Sequence, residues 1–391
     1  MELLYHAIII CLVILLLWPR GYLLIYLIDR SKSFNFGFKF FAGWLIGIGG
    51  MVCDVYASNV FGGTRLLPWL FLFNSVSQIF GFGFVIFLFE RKLPLPRPSR
   101  FLRFIQKYII DFFTRDRLDQ ISFLVLLLVI LFQVGSAVLT IGNIPVYSFD
   151  SYQNFNYKAK TIFYTKTIST DITSPFYFGG GEKVTGLNDS MLKAWLAIVD
   201  GQFNDRQINY VSVMYYLFLV AIFFFILPKD SPLHFKAMGT IFVALLPPVL
   251  YSNQNIPVGD WLLGLFLMLS FVAFWFYLRG RGASYYYFSG MALAFACWTS
   301  LEALLFVFPV MLVAKTILLF LKRVSLKDYL LDWFFAWLTI IGWISSIIWF
   351  QLDIFRFDFN WLGIQLIPSL IIFLFFILNA LVSYLRKISA V

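Results

Sequence analysis

The segment Ile121–Gly142 reads ISFLVLLLVILFQVGSAVLTIG, 22 residues without one charged side chain. About 20 apolar residues in helical rise match the hydrocarbon thickness of a bilayer, so this stretch is expected to cross one. On one side it is preceded by Arg115 and Arg117. On the other it leads through Asp150 into DSYQNFNYKAK, residues 150–160, which opens the one long polar segment of the chain. A bilayer-length helix between a basic flank and a polar one sets the reading of everything else.

Comparable apolar runs recur throughout. The chain is read as eleven spans, at 3–28, 38–56, 67–89, 121–142, 208–227, 237–251, 258–278, 285–299, 303–321, 329–350 and 361–385. The expected fold is therefore all-α, a polytopic transmembrane helical bundle, because a helix satisfies its own backbone polar groups in lipid. With 61% hydrophobic and 13% charged residues, an ordinary soluble domain is excluded. Residues 1–18 lack both a basic leader and a small-residue cleavage pattern, so they read as a mature span rather than a signal peptide. The first span carries the interruption Pro19-Arg20-Gly21, tolerable in a membrane helix if neighbours satisfy the freed backbone groups, and the second carries Gly43 and Gly47 at GxxxG spacing, a helix-packing pattern.

Charge placement orients the spans. Arg91, Lys92, Arg97, Arg100, Arg103, Lys107, Arg115 and Arg117 crowd one loop, which the positive-inside rule assigns to the cytoplasm. Alternation from that loop puts Arg30, Lys32, Lys229, Lys236, Arg279, Arg281, Lys322, Arg323, Lys327, Arg386 and Lys387 on the same face. The N-terminus is then outside and the C-terminus inside. The net charge of +10 is carried by these short loops, where it sets topology and meets anionic lipid headgroups. Nucleic acid is not an expected partner.

Three regions follow. Residues 1–90 read as a three-helix N-terminal membrane extension, and 91–120 as a basic cytoplasmic amphipathic segment. Residues 121–391 read as a membrane core with an external loop at 143–207. Within 91–120, aromatic and aliphatic residues from Phe101 to Phe113 alternate with Arg100, Arg103, Lys107 and Arg115 at helical spacing, the pattern of an interfacial helix. A second interfacial helix is expected from Asn188, with Met191, Leu192, Trp195, Leu196 and Val199 toward the outer leaflet. Asn188-Asp189-Ser190 also matches the glycosylation sequon.

Soluble-enzyme motifs are absent. Gly179-Gly180-Gly181-Glu182-Lys183 lacks the spacing and hydroxyl of a phosphate-binding loop, and no Gly-x-Ser-x-Gly elbow occurs. His6 and His234 are the only histidines and fall on opposite faces, which excludes a histidine-rich metal centre. Cys11, Cys53 and Cys297 lie in or beside apolar runs without CxxC spacing. Chemistry must rest on carboxylates, lysines and amides. Asp150, at interface depth and partly shielded from water, suits a general base, although an N-cap for the following segment explains an Asp equally. Lys158 and Lys160 suit a phosphate at headgroup level, or serve as snorkelling anchors. Asp260, after Pro257-Val258-Gly259, and Glu302, in Trp298-Thr299-Ser300-Leu301-Glu302, place carboxylates at the outer ends of apolar helices, where their cost points to function.

These segments, in this order over residues 120–320, resemble the GT-C superfamily of integral-membrane glycosyltransferases. That class includes the dolichyl-phosphate-mannose-dependent mannosyltransferases and the bacterial aminoarabinose transferases. Asp150 to Lys160 resembles the first external loop of that class, and Asn188–Trp195 the next external helix. Pro257–Asp260 and Trp298–Glu302 resemble its later Gly-x-Asp and Trp-Thr-Lys-x-Glu motifs, with Ser300 and Ala303 where related sequences carry Lys and Gly. The resemblance implies a GT-C-like core that moves a sugar from a polyprenyl-phosphate donor to a glycan, lipid or protein acceptor on the outer face. Asp150 would be the base of an inverting transfer, and Lys158, Lys160, Asp260 and Glu302 the substrate- and phosphate-binding residues. A divalent ion, Mg or Mn, held by Asp150, Asp260 or Glu302 is compatible with these hard oxygen ligands. The expected location is a bacterial or archaeal cytoplasmic membrane, with the active side outside. A transporter or flippase for a lipid-linked glycan, and a non-catalytic envelope protein, are the alternatives.

The topology is open to direct test. A Ser151→Cys variant should be labelled from outside intact cells by a membrane-impermeant thiol reagent. Labelling seen only after permeabilisation would reverse the orientation.

Overall fold

The computed structural model describes residues 2–29, 32–56, 59, 65–90, 106, 110, 112–143, 156–168, 188–227, 231–246, 260–300 and 303–334. Among these residues the fold is all-helical. The helices are α1 (Glu2–Ile28), α2 (Phe36–Tyr56), α3 (Pro68–Glu90), α4 (Arg117–Asn143), α5 (Asn156–Thr165), α6 (Asn188–Asp200), α7 (Tyr210–Ile226), α8 (Leu233–Ala244), α9 (Asp260–Leu278), α10 (Ala283–Thr299) and α11 (Phe308–Phe320). A 3-10 turn, Gln207–Asn209, leads into α7, and a π turn, Ala303–Val307, leads into α11. A further helix, α12, is described over 326–334. Among the described residues, three stretches are long and apolar enough to cross a membrane: Pro68–Leu88, Arg117–Asn143 and Ala303–Phe320.

What those helices expose is consistent with a membrane protein. On α4 the exposed side chains include Leu124, Leu128, Leu131, Phe132 and Leu139, whereas its buried set includes Asp119, Ser122 and Gln133. α3 exposes Trp69, Phe73, Phe80 and Phe84 and buries Ser75. Apolar side chains outside and polar ones inside invert the soluble pattern, and a contiguous apolar surface of this kind needs lipid or protein against it.

By packing, the chain divides into two compact units. The first comprises Met1–Leu27, Phe34–Glu182 and Leu187–Leu262; the second comprises Ile28–Ser33, Lys183–Gly186 and Leu263–Val391. The three N-terminal helices thus pack within the same unit as α4–α8.

In the first unit, glycines let α1 and α2 meet backbone to backbone. A Cβ on Gly21 would lie 1.9 Å from the Gly43 carbonyl oxygen, and one on Gly47 would lie 2.1 Å from that of Leu17. The GxxxG pair of α2 is therefore spent on α1. The helix tolerates Pro19-Arg20-Gly21: α1 runs through it with Pro19 inside. Arg20 is buried and stitches three helices together. Its Nε donates to Gly47 O at 2.9 Å, another guanidinium nitrogen donates to the same oxygen, and a third donates to Gln78 Oε1 of α3 at 3.2 Å. A second seam joins α2 to α7. Asn35 caps α2 by accepting from Phe38 N at 2.7 Å and donates to Phe225 O at 2.6 Å. Phe41 stacks on Phe225, Trp44 stacks on Phe218, and Gly37 leaves room for the Phe225 ring. α8 docks on α4 through Asp119, which accepts from His234 N at 2.8 Å, lies 2.7 Å from His234 Nδ1, and pairs with Arg115 at 3.3 Å.

Substituting Gly47 tests the α1–α2 contact. Gly47→Leu forces the helices apart and should destabilise the folded protein by about 3 kcal/mol or more, the upper range of overpacking. Gly50→Ala meets only the Arg20 guanidinium, at 3.8 Å, and should be tolerated. Thermal unfolding in detergent micelles reads both.

Candidate functional site

The first unit holds a polar cluster at the junction of α5, α6 and α7. α6 is buried along Asn188–Ile198 on every face, including Asn188, Asp189, Ser190 and Lys193. It therefore does not present an apolar face to a leaflet as the sequence suggested; α5 covers it, and α2 and α3 pack against it. Its apolar residues face protein, and so do its polar ones. Asn188 of the sequon is itself fully buried, so the folded chain offers no access for glycosylation there.

Lys193 lies at the centre. Its ammonium is 2.6 Å from Asp189 Oδ2, one helical turn earlier on the same helix, and donates to Asn156 Oδ1 of α5 at 3.2 Å. The approach to Oδ2 falls outside hydrogen-bond geometry, so the contact is an ion pair rather than a directed hydrogen bond. The other carboxylate oxygen, Asp189 Oδ1, accepts from the Tyr215 hydroxyl of α7 at 3.2 Å. Asn156 Nδ2, Ser190 Oγ and the Tyr216 hydroxyl are buried and make no hydrogen bond. Such orphaned groups in an interior are uncommon and call for an explanation.

The two lysines expected to meet phosphate part company. Lys158 is fully buried on α5. Lys160 is half-exposed, 3.9 Å from Asp205 Oδ2 and over the Phe203 ring at 5.9 Å. The alternation follows from helix geometry, since positions two apart on a helix point to opposed sides. α5 ends where Lys166 takes a left-handed conformation, φ 56°. The chain is then pinned to the α2–α3 connection, with Leu66 N donating to Lys166 O at 2.7 Å and Ile168 N to Asn59 Oδ1 at 2.7 Å. Lys166 Nζ stands 3.8 Å over the Phe163 ring, and burial pushes its ammonium below the usual lysine range.

Asp150 and Glu302 lie outside the described residues. Asp260 opens α9, but its side chain is likewise outside them. Among the described residues no group of three His, Cys, Asp or Glu side chains converges as a metal site would require. Asn156, Asp189, Lys193 and Tyr215 were not among the residues singled out from sequence. The i,i+4 spacing of Asp189 and Lys193 is the signal that could have found the pair.

No family model, curated protein or solved structure matches the chain.

The second unit buries another ion pair. Lys315 of α11 lies 2.8 Å from both carboxylate oxygens of Asp332 on α12, with its ammonium 4.6 Å over the Tyr286 ring of α10. Gly290 makes the room: a Cβ there would fall 1.8 Å from Asp332 Oδ1. A cavity of about 20 Å³, lined by Gly290, Leu312, Lys315, Tyr329, Asp332 and Trp333, adjoins the pair and fits about one water. Thr316 and Tyr329 hydroxyls bond at 2.7 Å one turn away, and the Tyr287 hydroxyl donates to Asp328. The pair joins α11 to α12 by charge, and its ammonium meets α10 through the Tyr286 ring. Lys315→Met alone strands a buried carboxylate and should cost about 3–5 kcal/mol, whereas Lys315→Met with Asp332→Leu should recover most of it. Denaturation of the single and double variants in detergent is the measurement; a double variant no more stable than the single would refute the pairing.

Proposed function

We propose that the chain is a GT-C-like membrane glycosyltransferase, taking a sugar from a polyprenyl-phosphate donor and passing it to an acceptor at the outer face of a cytoplasmic membrane. In this reading the chain is multi-pass, with eleven spans, its N-terminus outside and its C-terminus inside. The observation that carries it is the buried polar cluster on α5–α7. An apolar chain has sunk two lysines, a carboxylate, amides and hydroxyls into the segment that begins just after Asp150. Burying charge is costly, and in membrane proteins it marks the path or seat of a polar substrate.

Asp150 takes the acceptor hydroxyl proton as that oxygen attacks the anomeric carbon, inverting it. A phosphate leaving group needs no strong general acid, unlike the alcohol expelled by glycosidases that use two carboxylates. Lysines beside the departing phosphate offset its charge. Buried Lys158 fits that task better than Lys160, whose ammonium is at the surface beside Asp205. Asp260 and Glu302 remain candidates for binding substrate or a divalent ion. One observation favours the transporter alternative: the Lys315–Asp332 pair beside a small cavity is the kind of buried charge that translocation pathways use.

Asp150→Asn distinguishes the two. Transfer from a polyprenyl-phosphate sugar should fall by about 10²–10⁴-fold, the usual contribution of a general base, while donor binding persists. Unchanged transfer in a variant that reaches the membrane would remove Asp150 from the mechanism.

A further inference from the structure

We infer that Lys193, Asn156 and the first turn of α6 form a binding site for a phosphate-class oxyanion, in which the carboxylate of Asp189 sits as an internal stand-in that the ligand displaces. Naming the ligand as the phosphate of a lipid-linked donor rests on the glycosyl-transfer reading above; the site itself stands on the geometry.

The cluster is built from donors. Lys193 supplies an ammonium, and Asn156, whose Oδ1 is bonded to that ammonium, holds its Nδ2 beside it, buried and unspent. Ser190 Oγ is likewise unspent, and by helix spacing Ser190 shares the face of Lys193, three residues on. The first turn of α6 adds backbone N–H groups that have no acceptor within their own helix, the usual seat for an anion. Among the described residues, the negative group that meets this array is the Asp189 carboxylate, and it does so outside hydrogen-bond geometry. Packing alone gives no reason to leave amide and hydroxyl groups without partners around a buried cation. A tetrahedral oxyanion, with more oxygens than a carboxylate, can use the donors that Asp189 leaves idle.

Asp189 also has somewhere to go. Its Oδ1 keeps the Tyr215 hydroxyl as a donor, so the carboxylate can give up Lys193 without losing every partner. Asp189 therefore competes with the ligand for Lys193, and its removal raises apparent affinity, because the competent state is no longer shared with an internal rival.

The test is equilibrium binding to the full chain in detergent micelles or nanodiscs, with a short-chain polyprenyl monophosphate and, separately, inorganic phosphate as probes. Asp189→Asn should tighten monophosphate binding by about tenfold. Lys193→Gln should weaken it by about a hundredfold, as loss of one partner in a buried charge contact does, and Lys193→Arg should restore most of the loss. Lys327→Gln, on the surface of the second unit, should bind as the native chain does. Opposite responses at positions 189 and 193 are what a structural salt bridge does not produce, since breaking it from either side only destabilises. If Lys193→Gln does not fold, Asp189→Asn and Lys193→Arg still decide: no gain at 189 overturns the proposal. Inorganic phosphate binding as tightly as the polyprenyl monophosphate would retain the oxyanion site and overturn its lipid-linked assignment. Nanodiscs rich in phosphatidylglycerol should compete only weakly; full competition would also overturn that assignment. Because no acceptor or transfer is involved, loss of transfer chemistry in the Asp150→Asn experiment and loss of this site are separate results.

Discussion

Burial of charge is the constraint on which this structure turns. A chain so rich in apolar residues cannot hide them, so α3 and α4 face outward with Leu, Phe and Trp while Arg20, Lys193 and Lys315 go inside. Each buried cation then needs an acceptor, and the acceptor chosen fixes local architecture. Arg20 finds a backbone carbonyl, which is possible because Gly21, Gly43 and Gly47 bring α1 and α2 into backbone contact. Lys315 finds Asp332 on another helix, which is possible because Gly290 carries no side chain to block it. In both cases a glycine admits the polar contact, and that contact then holds helices in one register. Between helices in lipid there is no hydrophobic drive, and close approach and polar bonding of this kind are the forces that specify packing there.

The helices themselves were legible. Hydrophobic runs placed a helix near every expected span up to residue 334, and Ile121–Gly142 lies within α4, Arg117–Asn143. Local sequence records such runs directly, because a helix needs no distant partner to satisfy its backbone. Two finer readings fared differently. Pro19-Arg20-Gly21 read as an interruption that a membrane helix tolerates when neighbours satisfy the freed backbone groups. α1 does continue through it, and there Arg20 and Gly21 make their contacts with α2; the α6 reading failed. α6 read as an interfacial helix because its apolar positions lie on one side. Its polar side is covered by α5 and the neighbouring helices, and coverage by distant segments leaves no mark in a local window. The cluster around Lys193 was missed for that reason, and Lys158 and Lys160 could not be told apart until α5 had a covered and an open side.

The two buried ion pairs differ in what they can do for stability. Lys315 and Asp332 stand on different helices, so their attraction directly opposes separation of α11 from α12. Asp189 and Lys193 stand one turn apart on a single helix, and their attraction is satisfied whether or not α6 packs against anything. Among the described residues, the bonds to Asn156 and Tyr215 are the ones that reach other helices. On exposed helices such an i,i+4 pair contributes a few tenths of a kcal/mol. On a buried helix the desolvation of both charges outweighs that, and apolar residues of similar volume would hold α6 in place at least as well. A local pair that does little for packing, kept where charge is most expensive and surrounded by donors that packing does not use, is better explained by what it binds than by what it holds together.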